Sequence, residues 1–433
     1  MFYGSITFVF SCSSPSHIRA TLRIHQNSMP TKSENGDALG HGPSDVSASN
    51  ASHGGNYLRR IRVGLIGCGE IAQVSHVATL GNLSDLFQVT YLCDISQAAL
   101  HHCASKVAGS RPKTTKDASV LCSSDEVDAV LVANATAFHP PHAILALQNN
   151  KHVLVEKPLA LCYRDIEAIA TAERESSASV FVGYMRRYAP AFRQAMNEVG
   201  DVSRIQYVRV RDIIGRNEFF VNQSGTFPKK FSDFSAADSE SLQQANDDCA
   251  TQALLKEFGV PKNEDTVLFL NILGGLGTHD LSLMREAIGT PRAVESASLQ
   301  WPIWTATLDY GTFPVVYESG INGVPVFDAH LEVYTPEKIV RIEYDTPYVR
   351  GLPIVVKIRE AIEGPHGEKS YQERIIRTTY EDAYTIEFKA WHESIVIGRP
   401  AKTSAADARQ DVDLFKMLMQ AAFAKDAEGA SSQ

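Results

Sequence analysis

The segment at residues 58–72, LRRIRVGLIGCGEIA, constrains this chain more than any other. Val63, Leu65 and Ile66 form a short apolar run that ends in Gly67-Cys68-Gly69-Glu70-Ile71-Ala72, where helix-forming residues take over. The pattern predicts a strand, a glycine turn and the start of a helix. Gly67 permits the tight turn, Gly69 lets the backbone approach a pyrophosphate, and the small Ala72 allows the helix to pack closely on the strand. Free N–H groups at the helix start, around Glu70 and Ile71, then face the anion.

A second apolar run, Val89-Thr90-Tyr91-Leu92-Cys93, ends in Asp94. A carboxylate at that place accepts hydrogen bonds from an adenosine ribose. No arginine adjoins Asp94, which favours NAD, with NADP as the alternative.

Further along, residues 127–133 read as another buried strand, and the loop from Asn134 to Pro141 supplies prolines suited to the first turn of a helix at 142–148. A strand at 152–155, a helix at 165–173 and a strand at 180–182 follow. Strands and helices alternate, so the predicted fold class is α/β with a doubly wound parallel sheet. The strand at 152–155 runs into Glu156-Lys157-Pro158-Leu159-Ala160. Ligands bind outside the carboxyl ends of such strands, which puts Lys157 where a nicotinamide and its substrate meet. A lysine there donates to a substrate hydroxyl or carbonyl and helps relay its proton.

Three ordered motifs, Gly67-Cys68-Gly69-Glu70-Ile71-Ala72, Glu156-Lys157-Pro158-Leu159-Ala160 and Gly183-Tyr184-Met185-Arg186-Arg187-Tyr188-Ala189-Pro190-Ala191-Phe192, resemble the Gfo/Idh/MocA family, the glucose-fructose oxidoreductase and inositol dehydrogenase group. The likeness covers roughly residues 60–423. It implies an N-terminal Rossmann domain, a C-terminal α/β domain on a large, mainly antiparallel sheet, and homo-oligomers supported by that sheet. The family's EKP lysine corresponds to Lys157, in contact with substrate near the nicotinamide. His139 corresponds to a histidine near the cofactor, with helix capping as its other reading. Arg187 faces either the cofactor or solvent. The candidate cofactor contacts are thus Gly67, Gly69, Glu70, Ile71, Ala72, Asp94, Asn134, His139, Glu156, Lys157 and Arg187. His142 reads as helix surface, and the His139-x-x-His142 pair has no accompanying ligand cluster, so no metal is expected.

Beyond residue 183 a strand is predicted at 208–214, then a long polar segment at 217–262, longer than the family usually carries and read as an insertion or lid. Residues 273–283, LGGLGTHDLSL, lead into a helix through Ile288. The family carries a D-x-x-x-H pair here, on one helix face. His279 matches the histidine, while the aspartate position is Gly275. His279 still suits a catalytic base, and Asp280, the next residue, points about 100° away from it. Strands are predicted at 297–301, 313–317, 329–334 and 338–344, and helices at 384–397 and 404–423. Trp301, Trp304 and Tyr310 are read as core or as the lining of a sugar site.

At 433 residues the chain accommodates two domains: dinucleotide-binding at 58–182 and substrate-binding or oligomerising at 183–425, flanked by tails at 1–57 and 426–433. The first tail is read as disordered, as a presequence rich in Arg and Ser, or as preceding a start at Met29. A net charge of −9 gives no general attraction to nucleic acid or anionic membrane. No apolar run approaches the ~20 residues that span a bilayer. Seven cysteines without a C-x-x-C pair point to reduced thiols in the cytoplasm, rather than a disulfide framework or a zinc site.

The resulting expectation is an NAD(P)-dependent oxidoreductase acting on a secondary alcohol of a sugar, cyclitol or related polyol, with Lys157 and His279 as catalytic residues. The alternatives are a redox-neutral epimerase or isomerase holding NAD tightly, and a non-catalytic dinucleotide-binding sensor.

Overall fold

The computed structural model describes residues 59–423, so the expectations for 1–57 and 426–433 lie outside the described residues. Apolar runs separated by helices assemble into a parallel sheet of β1 (Ile61–Ile66), β2 (Phe87–Cys93), β3 (Lys113–Thr115), β4 (Ala129–Val132), β5 (His152–Glu156) and β6 (Val180–Gly183). Its order is β3-β2-β1-β4-β5-β6. Strands β4 and β6 are buried along their whole length because helices cover both faces of the sheet. The crossovers carry α1 (Val77–Asn82), α2 (Gln97–Ala104), α3 (Ala118–Cys122), α4 (His139–Gln148) and α5 (Tyr163–Arg174), with the prolines of α4 in its first turn. The order reverses between β1 and β4, so the loops after these strands part and leave a crevice.

Short helices α6 (Met185–Tyr188) and α7 (Pro190–Val199) lead into β7 (Tyr207–Gly215). Burial alternates along β7, the mark of a strand with one packed face. Next come α8 (Asn217–Val221), α9 (Ala236–Ala250), α10 (Glu264–Ile272) and α11 (Thr278–Ile288). Seven more strands follow: β8 (Ala293–Ser298), β9 (Ile303–Asp309), β10 (Pro314–Asn322), β11 (Phe327–Tyr334), β12 (Lys338–Tyr344), β13 (Val355–Glu363) and β14 (Lys369–Arg377). With β7 they form a second sheet, ordered β14-β13-β12-β11-β7-β10-β9-β8. Within it only β7 and β10 run parallel; the remaining pairs are antiparallel.

The last helices, α12 (Ala383–Val396) and α13 (Ala405–Phe423), return to the first sheet. Phe388 and Trp391 of α12 join the apolar cluster of β1 and β2, where Trp391 stacks on Phe87 at 5.4 Å. Leu414, Phe415, Leu418 and Met419 of α13 are buried in the other cluster, which spans both halves of the chain.

The continuous helical stretch Glu264–Ile288 meets the length and composition of a bilayer span, as buried core helices also do. Gly274, Gly275 and Gly277 obscure it in the sequence. In this fold most of it is buried inside the protein, packed beneath the second sheet and α13.

Candidate active site

The glycine turn is shaped by close approach. Gly67 has φ +100°, and a Cβ there would lie 2.6 Å from the backbone of Ala133 and Asn134, so only glycine lets β1 and β4 end side by side. Gly69 differs: it is exposed, and an added Cβ would meet nothing within 4 Å. Open space beside free N–H groups at a helix start is a cradle that fits a pyrophosphate.

Asp94 is fixed beside the turn. Its Oδ2 accepts from Cys68 N at 2.7 Å and its Oδ1 from Ser96 N at 2.8 Å. Each oxygen retains a lone pair for a ribose hydroxyl. Burial pushes this carboxyl above its ordinary range despite the two bonds. The side chain of Glu70 turns away to accept from Asn217 Nδ2 at 2.8 Å, and Ile71 packs with α12 residues. Ala72 is fully buried. At these three positions it is the backbone, not the side chain, that is directed to an anion.

Two histidines brace the loops after β4 and β5. His139 is buried, with Nδ1 2.8 Å from Pro158 O and Nε2 3.1 Å from Asn134 O. Burial lowers its pKa, so the neutral ring donates to one of these carbonyls and ties the loop of Asn134 to that of Lys157. Asn134 Nδ2 donates to His142 Nδ1 at 2.8 Å, and burial pushes His142 down to about 4. Deeper still, Glu156 Oε1 lies 2.9 Å from His76 Nε2, while Glu156 Oε2 accepts from Lys157 N at 3.1 Å. Burial by itself raises the Glu156 carboxyl; His76, Lys157 and His139 outweigh it and hold the group below its usual value.

Lys157 reaches across to the second half of the chain, where its Nζ donates to Gly275 O. The residue standing where the family's aspartate is expected thus contributes a carbonyl. The helix is widened there into a π-turn, Leu273–Gly277, a geometry frequent at functional sites. Gly274 packs closely there: a Cβ would lie 2.4 Å from Leu161 Cδ2 and displace that side chain. His279 follows, with its Nδ1 out of solvent and unpartnered. Burial, then Lys157 and Arg186, hold its pKa well below the ordinary value. Lys157 is likewise lowered, by burial first, against the attraction of Glu156, Asp212 and Asp280.

Arg186 completes the cluster. Its Nη1 lies 2.5 Å from Asp280 Oδ1 and 3.1 Å from Asp212 Oδ2, and its guanidinium lies over the Tyr344 ring at 5.2 Å. Burial and the neighbouring Asp212 raise the Asp280 carboxyl well above its ordinary value. Glu156 attracts the Lys157 ammonium, and Lys157 and Arg186 both act on His279.

Sequence reasoning singled out Arg187, and the structure does not bring it here. Its guanidinium is taken by Glu286 and Asp407, in a buried network that also contains Arg285 and Asp411. Adjacent arginines on a short helix point about 100° apart, and nothing in their spacing says which turns inward. Asp212 carried a weak signal, as a lone acid inside an apolar strand. Of the aromatics considered for a sugar site, Trp304 is core, edge-on to Phe269 at 5.8 Å. Tyr310 donates to Gly289 O at 2.9 Å and stacks on Phe313.

The polar segment 217–262 crosses the nucleotide side of the turn. Gln73 Nε2 donates to Cys68 O and to Lys229 O, its Oε1 accepts from Lys229 N at 2.7 Å, and Lys106 Nζ donates to Thr226 O and Phe227 O. Among the described residues one trio has metal-ligand spacing, Cys162, Asp165 and Cys249, whose ligand atoms lie within 4.8 Å of one another. Asp165 accepts from Arg164 Nε, and the two thiols interact with each other with burial holding Cys162 protonated.

Residues 61–184 match the profile of an oxidoreductase family with an NAD-binding Rossmann fold, GFO_IDH_MocA. Inositol 2-dehydrogenase 3 of Saccharopolyspora erythraea is 26% identical over 350 residues, covering 80% of this chain and 88% of that protein. Myo-inositol 2-dehydrogenase of Thermotoga maritima is 28% identical over 152 residues, 35% of this chain and 44% of its own length. Among solved structures, myo-inositol 2-dehydrogenase from Lactobacillus plantarum aligns with a TM-score of 0.59 at 18% identity, over 84% of this chain and 97% of that one. A 3-ketoreductase from Actinomadura kijaniata in complex with NADP aligns with a TM-score of 0.61 at 16% identity, over 84% and 98%. At these identities the structural likeness establishes the fold.

Proposed function

This chain belongs to the Gfo/Idh/MocA family of oxidoreductases, and from that premise we propose that it is an NAD-dependent dehydrogenase of a secondary alcohol in a sugar, cyclitol or related polyol. The observation that supports the reading is the contact of Lys157, just past the carboxyl end of β5, with Gly275 O, four residues before His279.

Nicotinamide, when bound, supplies the two-electron acceptor for the hydride. The protein's own residues hold the alcohol and move its proton. Lys157 has one N–H engaged by Gly275 O and two left to donate to the substrate oxygen. The unpartnered Nδ1 of neutral His279 takes the hydroxyl proton as the carbon gives up hydride. Arg186, ion-paired with Asp212 and Asp280, contributes a rigid wall to the site. His139 and Glu156 keep the Lys157 loop in register, which favours a near-attack arrangement over a dispersed one.

A screen of sugars and cyclitols with NAD, following reduced-nicotinamide absorbance, tests this reading. Reduction with one or more polyols is expected. No reduction by protein that binds NAD would contradict it.

A redox-neutral epimerase or isomerase is the second reading, favoured by the ties of Gln73 and Lys106 to residues 226–229 across the nucleotide side. Nucleotide retained through purification would support it. Release of nucleotide on simple dilution would count against it.

A further inference from the structure

Asp233 lies beside Asp94, the acid just past the end of β2, with Ser96 between them. It belongs to the polar segment 217–262, yet its carboxylate serves the first sheet: Oδ1 accepts from Ser96 Oγ, and Oδ2 accepts from Ala98 N at 3.0 Å. Ser96 is the N-cap of α2, so Asp233 occupies the helix N-terminus that follows β2. In a Rossmann fold the ribose 2′-oxygen lies against the acid at the end of β2, here Asp94, and the groups just beyond that acid decide whether a phosphate is tolerated. Free N–H groups at a helix start attract phosphate. In this chain that attraction is already spent on a carboxylate.

We propose that Asp233, together with Asp94, makes the site select NAD over NADP. The inference rests on the dinucleotide-binding reading above. Ser96 links the two acids, donating its backbone N–H to Asp94 Oδ1 and its hydroxyl to Asp233. They are close enough for Asp233 to raise the Asp94 carboxyl. A phosphate on the 2′-oxygen meets like charge from both sides. Lys116 is the ammonium that acts on both carboxylates, and Lys229 lines the neighbouring groove with His101 and His102. Lys116 is shared between the two acids, so neither carboxylate has a cation of its own to hand over to a dianionic ligand. A 2′-hydroxyl, by contrast, donates to Asp94 without penalty.

The segment that carries Asp233 is held independently. Gln73 clamps Lys229 by both its N–H and its C=O, and Phe231 packs on the His102 ring at 5.6 Å. The carboxylate therefore arrives on a fixed strand of chain.

Binding of NAD and NADP is to be measured separately by titration calorimetry on the full-length protein, on Asp233→Ala and on Asp233→Asn. Asparagine keeps one acceptor, for Ala98 N, and turns its amide Nδ2 to the Ser96 hydroxyl, while removing the charge. The wild-type protein is expected to bind NAD at least about tenfold more tightly than NADP, and both variants to shrink that ratio by about tenfold with NAD affinity changed less than about threefold. A wild-type protein that binds NADP as tightly as NAD, or a ratio unchanged in both variants, would overturn the inference. Absence of binding by either nucleotide to the wild-type protein would overturn the inference and the reading beneath it together, whereas NAD binding with an unchanged ratio removes the inference alone.

Discussion

The proposed alcohol oxidation depends on two groups whose charges are set by burial. His279 must be neutral to take a proton, and burial beside Lys157 and Arg186 keeps it so well below the usual histidine range. Lys157 must be protonated to donate, and its pKa is lowered from the ordinary lysine value. The signs give a bell-shaped pH dependence of kcat/KM for alcohol oxidation. Its acid limb, from protonation of His279, is expected below pH 6.5, and its alkaline limb, from deprotonation of Lys157, below pH 10.5. An acid limb at or above the ordinary histidine value would contradict the placement of His279. Lys157 was singled out by its place in the Glu156-Lys157-Pro158 motif, and His279 by its match to the family's histidine position. Arg186 was not, since only the meeting of β7 with α11 brings Asp212 and Asp280 to it and leaves Arg187 to Glu286 and Asp407.

At the scale of elements, the strand, turn and helix from β1 onward do two different jobs with two glycines. Gly67 is required by the fold, whereas an added Cβ at Gly69 would meet nothing of the protein, so its glycine is expected to serve the ligand. Gly67→Ala combines a left-handed φ with contact against the backbone of β4's end, and is expected to cost about 2–4 kcal/mol in denaturant unfolding. Gly69→Ala is expected to leave stability within about 1 kcal/mol and to weaken nucleotide binding. Equal losses of stability in the two variants would refute this division. The turn was readable because its determinants are local. The same held for β12, predicted at 338–344 and found there, where alternating apolar residues and flanking turns agree. Strands β13 and β14 escaped prediction because half of their residues are charged or polar and face outward, leaving a weak period. The stretch Glu264–Ile288 escaped for the opposite reason: glycines that break a helix in isolation are tolerated where Leu161 and Tyr317 press against them.

Across the whole molecule, the nucleotide-binding sheet is completed from the far end of the chain. Phe388 and Trp391 of α12 cover Phe87, and His392 Nε2 lies 2.8 Å from Arg59 O. Trp391 is 1% exposed, so Trp391→Ala is expected to destabilise the protein by about 3–5 kcal/mol in denaturant unfolding. The variant should lower the stability of the β1–β6 sheet although it lies some 200 residues beyond it in sequence, about half the chain. A loss under about 1 kcal/mol would contradict the shared core. The parallel, doubly wound character of the first sheet follows from alternating strands and helices, so it was legible. The return of α12 was not, because an amphipathic helix declares that it buries a face without declaring against what.

The most direct test of the account is turnover by Lys157→Ala on whichever polyol the wild-type protein oxidises, with the affinity for NAD measured on the same preparation. Loss of the donor that holds the substrate oxygen is expected to lower kcat by about 100-fold or more, with NAD affinity changed less than about threefold. Turnover equal to that of the wild-type protein would contradict the assignment of Lys157, and with it the reading of the crevice as the seat of alcohol oxidation.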